Sequence, residues 1–69
     1  MTNREFEIFV ERSRTKLLAI AHQYLCAMAD AEDVVQEALL KLYAMRDRLD
    51  DYRSIEALAT VVVKRLALN

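Results

Sequence analysis

The chain has 69 residues, 55% of them hydrophobic, and 10 Lys and Arg against 11 Asp and Glu give a net charge of −1. A chain this short makes one small domain, burying about 60% of the surface its unfolded form exposes, and its apolar content excludes wholesale disorder. Its near-neutral charge excludes a strongly basic nucleic-acid binder, so any phosphate contact must be local or supported by a partner.

There is no Gly and no Pro, so turns needing positive φ are disfavoured. With abundant Ala, Leu, Glu, Arg and Lys, this predicts an all-α fold, a small three-helix bundle. The single cysteine, Cys26, excludes an internal disulfide and suits a cytoplasmic protein. The opening MTNREFE lacks signal-peptide character. No apolar run approaches the ~20 residues that span a bilayer, so no membrane partner is expected.

Thr2 and Glu5 have capping-box spacing and predict the start of the first helix. Phe6, Phe9, Val10, Leu17, Ile20, Ala21, Tyr24 and Met28 then form one stripe, with Ser13 inside it. The helix is expected to reach about Cys26. Ser13-Arg14-Thr15 permits a bend, because Ser and Thr compete for backbone hydrogen bonds. Arg12-Ser13-Arg14-Thr15-Lys16 is a basic run, expected as a solvated face with single-stranded DNA as a weaker use. His22 falls opposite the stripe and is expected in solvent. One His and one Cys do not complete a metal site, so none is expected.

Asp30 is the expected N-cap of a second helix reaching about Leu49, with Glu32 and Asp33 near its positive end. At 100° per residue Val34, Val35, Ala38, Leu42 and Met45 face the core, with Leu39 at the edge. The other side carries Asp33, Gln36, Glu37, Leu40 and Ala44, flanked by Tyr43. It is either a solvated face with one stray leucine or a docking face. In the latter, Leu40 and Tyr43 would be the anchors and the carboxylates would meet basic partners.

Asp47 to Arg53 reads as a charged connection. Ser54 then caps a third helix whose buried stripe is Ile55, Leu58, Ala59, Val62 and Leu66. The run Val61-Val62-Val63 has strand propensity, but the flanking period is helical and no second strand exists to pair with it. The helix is still running at Asn69, from which a continuation of the chain is expected. No nucleophile, Gly-rich loop or histidine pair accompanies the acids, so no catalytic residues, cofactor or enzyme activity are expected.

The string DAEDVVQEALLKLY, Asp30 to Tyr43, resembles region 2 of the sigma-70 family of bacterial transcription initiation factors, and most of all its extracytoplasmic-function group. FEIFVERSRTKLLAIAHQYL resembles that family's opening helix, RDRLDDYRS its promoter-melting segment, and IEALATVVVKRLALN its closing helix. The likeness covers almost the whole chain, and EDVVQE is its most specific part. It implies docking on the clamp helices of the RNA polymerase β′ subunit through Asp33, Gln36, Glu37, Leu40 and Tyr43. It also implies contact with the −10 element, chiefly the non-template strand, through Arg48, Tyr52, Arg53, Thr60, Lys64 and Arg65. Family members commonly answer to an anti-sigma protein and carry a separate domain that reads the −35 element. This chain departs from the family pattern with Arg65 where asparagine is frequent and Leu58 where tryptophan is frequent. The alternative is a helical protein-interaction module with no DNA role.

Overall fold

Thr2 opens the first helix as its chemistry dictates. In the computed structural model, which describes every residue from Met1 to Asn69, the Glu5 amide donates to Thr2 Oγ1 at 3.1 Å. The Thr2 amide donates to Glu5 Oε1 at 2.8 Å, which completes the reciprocal cap. Helix α1 spans Asn3–His22 and runs through Ser13–Thr15 without interruption.

α1 stops at His22, four residues short of the expected end near Cys26. The amides of Tyr24 and Leu25 both turn back to the Ala21 carbonyl, at 3.0 Å each, and close the last turn. Tyr24 and Met28 therefore leave the stripe and are exposed. His22 is not simply solvated. It is half-buried, with Nδ1 at 3.2 Å from the Leu25 carbonyl and Nε2 at 3.1 Å from Met28 Sδ, so it braces the turn between the helices.

Helix α2 spans Met28–Ala44, and its N-cap is Ala27 rather than Asp30. Asp30 sits inside the first turn, where its charge still faces the positive end of the helix. The earlier start adds Met28, Ala29 and Asp30 to the helix, and Ala31 packs against the core at 0% exposure. The expected end at Leu49 is also corrected. Met45 departs from helical geometry (φ −111°, ψ 23°) and the chain tightens into a 3₁₀ segment, η1, Arg46–Asp51. The tighter winding carries Leu49 into the core at 0% exposure, where it anchors a stretch that otherwise reads as wholly charged.

Ser54 caps helix α3, Ile55–Leu68, accepting from the Ala57 amide at 3.1 Å. The valine run is helical, with Val63 buried, Val62 half-buried and Val61 exposed. Each of the three α-helices packs on the other two. The fold is thus the expected all-α bundle, with η1 as an added short element. Its core is Phe6, Leu17, Val35, Leu42, Leu49 and Val63, with four alanines that let the helices approach. Ser13 Oγ is also buried and has no hydrogen-bond partner.

Candidate functional site

Helix α2 is two-sided in space as well as in phase. Ala31, Val35, Ala38 and Leu42 are buried, while Asp33, Gln36, Glu37 and Leu40 stand exposed on the opposite face. Gln36 and Glu37 each lie three or four residues from both Asp33 and Leu40, so the four occupy successive turns of one surface. Leu40 is 61% exposed. The ion pairs within the chain are Met1–Asp50, Arg4–Glu7, Arg14–Glu32 and Lys16–Glu56. Asp33 and Glu37 belong to none of them, so their acceptor capacity faces outward.

Tyr43 differs from the free anchor the wheel suggests. Its ring meets Phe6 edge-on, 5.3 Å between centroids, and its hydroxyl donates to Asn3 Oδ1 at 3.3 Å. Arg46 lies over the ring at 4.1 Å and donates to the Tyr43 carbonyl at 3.0 Å. What Tyr43 presents is a ring held between α1 and a guanidinium, so the face it offers is rigid.

Beside Leu40 a groove of about 440 Å³ opens between α1 and α2. Gln36, Leu39, Leu40 and Tyr43 form one wall, and Phe6, Val10 and Arg14 of α1 form the other. The α1 wall escaped the sequence reading. Its signal was present in the i, i+4, i+8 spacing of Phe6, Val10 and Arg14, but only the register of the two helices shows that this row borders Leu40.

The residues expected to meet DNA fall on η1, its exit and α3. Arg48 lies on η1, and Tyr52, 45% exposed, and Arg53 follow it. Lys64 and Arg65 are exposed on α3 and have no acidic partner. Thr60 is half-buried, and its hydroxyl donates to the Glu56 carbonyl at 2.9 Å, leaving only its acceptor capacity for another group. No group of three or more His, Cys, Asp or Glu side chains is placed to hold a metal ion. The Glu5 carboxyl is held below its usual range, chiefly by the Thr2 amide, and it belongs to the α1 cap rather than to either face. No helix is long and apolar enough to cross a membrane.

The family model described as Sigma-70 region 2 matches residues 9–69, which takes in all of α2, η1 and α3 and most of α1. Comparison with curated proteins and with solved structures gave no match.

Proposed function

The chain belongs to the Sigma-70 region 2 family, which assigns it a sigma-factor role in transcription initiation, and from that premise we propose how its two surfaces divide the work. The outer face of α2 docks on the β′ clamp helices of the polymerase core. Arginines of that coiled coil donate charge-assisted hydrogen bonds to Asp33 and Glu37. Gln36 adds an amide hydrogen bond, and Leu40 enters a dry patch beside the firmly held ring of Tyr43.

Arg48, Tyr52, Arg53, Thr60, Lys64 and Arg65 then recognise the −10 element and help open it. Tyr52 stacks a base flipped from the non-template strand, worth about 1–3 kcal/mol. Unstacking that base costs a similar few kcal/mol, so binding to polymerase must supply the remainder. Arg48 and Arg53 hold phosphates, and Lys64 and Arg65 contact phosphate or a base edge. Within the family the reading is of the extracytoplasmic-function group, with the −35 element left to a separate domain and an anti-sigma protein able to compete for these faces.

The observation that carries this reading is the exposure of Leu40, at 61%, among carboxylates that no cation of the chain engages. Pull-down with polymerase core tests it. The unaltered chain is retained and Glu37→Lys is not; equal retention of both removes the α2 face from the interface. The net charge of −1 favours a second reading, a protein-interaction module with no DNA role. Under it, the unaltered chain is not retained on polymerase core; if it is retained but Tyr52→Ala leaves promoter opening, followed by permanganate footprinting in the full-length protein, unchanged, Tyr52 alone leaves the site.

A further inference from the structure

Three side chains that carry metal-donor atoms share the short turn between α1 and α2. His22 ends α1, Met28 begins α2, and Cys26 stands exposed between them. The His22 ring is held at both nitrogens. Nδ1 lies 3.2 Å from the Leu25 carbonyl oxygen, and Nε2 lies 3.1 Å from Met28 Sδ. A neutral imidazole has one N–H and one lone pair, so it donates to only one of these acceptors. The carbonyl is the stronger, since a thioether accepts weakly. The proton therefore sits on Nδ1, and the bare Nε2 lone pair faces the lone pairs of the Met28 sulfur. Two electron-rich atoms aimed at each other across 3.1 Å are a half-built coordination site. A ring whose other N–H donates to a backbone carbonyl is also the usual state of a ligating histidine, because that bond fixes tautomer and orientation.

We propose that His22 Nε2, Met28 Sδ and the Cys26 thiolate bind one soft monovalent cation, Cu(I) or Ag(I), across the α1–α2 turn. The sequence supplies one histidine and one cysteine, and the fold adds the thioether. Thiolate and thioether donors select Cu(I) over harder ions, so the class of metal follows from the donor set. Metal bonds of about 2.0 Å to nitrogen and 2.3 Å to sulfur place two donors about 3.5–4 Å apart around one ion, so the contact opens by under about 1 Å. Met28 is 56% exposed, and its flexible side chain supplies that movement by rotation. Cys26, also exposed, brings the third donor and gives up its thiol proton to the buffer on binding. Leu40 lies about 18 Å farther along α2 by helical rise, so the site leaves the α2 docking face uncovered. Bound metal ties the end of α1 to the start of α2 and stabilises the domain by mass action.

The test uses the full chain and Cu(I), kept reduced by ascorbate under nitrogen and supplied from its coloured bicinchoninate complex. Bleaching of that complex measures uptake, expected at one ion per chain. Circular dichroism first checks that each variant keeps its helices. Met28→Leu preserves bulk and His22→Gln removes the imidazole; each weakens uptake by about tenfold or more, and Cys26→Ser does the same. No uptake by the unaltered chain overturns the site. Loss in Cys26→Ser with no change in the other two means an adventitious thiolate only, and overturns it as well. Unchanged uptake in Cys26→Ser strikes the thiolate and leaves the nitrogen–thioether pair as the site. Zn(II) displacing Cu(I) at equal concentration overturns the soft-cation class. In ring-nitrogen NMR, Ag(I) shifts His22 Nε2 while Nδ1 keeps its proton, and the Met28 methyl signal moves in step. A shift at Nδ1 instead overturns the assignment of the donor atom.

Discussion

The guanidinium carbon of Arg46 lies 4.1 Å above the Tyr43 ring centroid while an amine of the same group donates to the Tyr43 carbonyl at 3.0 Å. One side chain thus closes the C-terminus of α2 and holds the aromatic at the edge of the proposed docking face. Arg46→Ala should lower stability by about 0.5–1 kcal/mol, the range for an exposed cation–π contact. Arg46→Lys should recover only part of this, because an ammonium lacks the planar fork that stacks and donates together. Urea unfolding midpoints check both, and equal midpoints for all three proteins would show that the contact carries no stability.

Leu40 separates folding from binding. Because it is 61% exposed, Leu40→Ala should leave the unfolding free energy within about 0.5 kcal/mol of the parent. Affinity for polymerase core should fall by about 2 kcal/mol or more, as for a central anchor. Thermal melts and binding isotherms on the same preparations are sufficient. A matched loss in both would place Leu40 in the fold instead of the interface.

Ser13 carries a buried hydroxyl with no partner. An unsatisfied buried polar group costs about 1–3 kcal/mol, and alanine also has the higher helix propensity. Ser13→Ala should therefore stabilise the domain by about 1 kcal/mol, seen as a Tm rise of about 4–8 °C for a chain of this size. A lower Tm would mean that the hydroxyl is satisfied in solution.

The α1 cap sets an acid limit. The Thr2 amide, and after it the Thr2 hydroxyl, hold Glu5 below its ordinary value of 4.5. A carboxylate with a depressed folded pKa adds stability above its unfolded pKa and loses it as pH falls through the folded one. The first turn of α1 should thus be fully capped near neutrality and begin to fray below about pH 4.5. Amide shifts of Thr2 followed by NMR report this directly. Glu5→Gln keeps the cap geometry without a titrating group, so an identical acid transition in that variant would assign the fraying elsewhere.

The features legible from sequence are those decided within a few residues. Thr2 and Ser54 cap as expected because a side-chain oxygen meets an amide three positions on, whatever the rest of the fold does. The outward position of Leu40 follows from helical phase alone. Asp30 misled because its capping chemistry is real, yet the helix begins two residues before it, at Met28, behind Ala27, which makes no side-chain cap bond. Leu49 was hidden among charges, since nothing local announces that a 3₁₀ turn will swing one leucine inward. The α1 wall of the groove, Phe6, Val10 and Arg14, needed the alignment of two helices and was not available from either one.

The interior built around alanine has a consequence for the life of the protein. Four of the ten core residues are alanines, which supply close contact but little apolar area, and a chain of this length holds only about 3–10 kcal/mol of stability in any case. Any partner that grips the folded form adds to that reserve by mass action. The unaccompanied domain opens more often, and proteolytic turnover follows the open population. Its abundance in a cell would then track how much of it is engaged, so that surplus copies are removed without a dedicated signal.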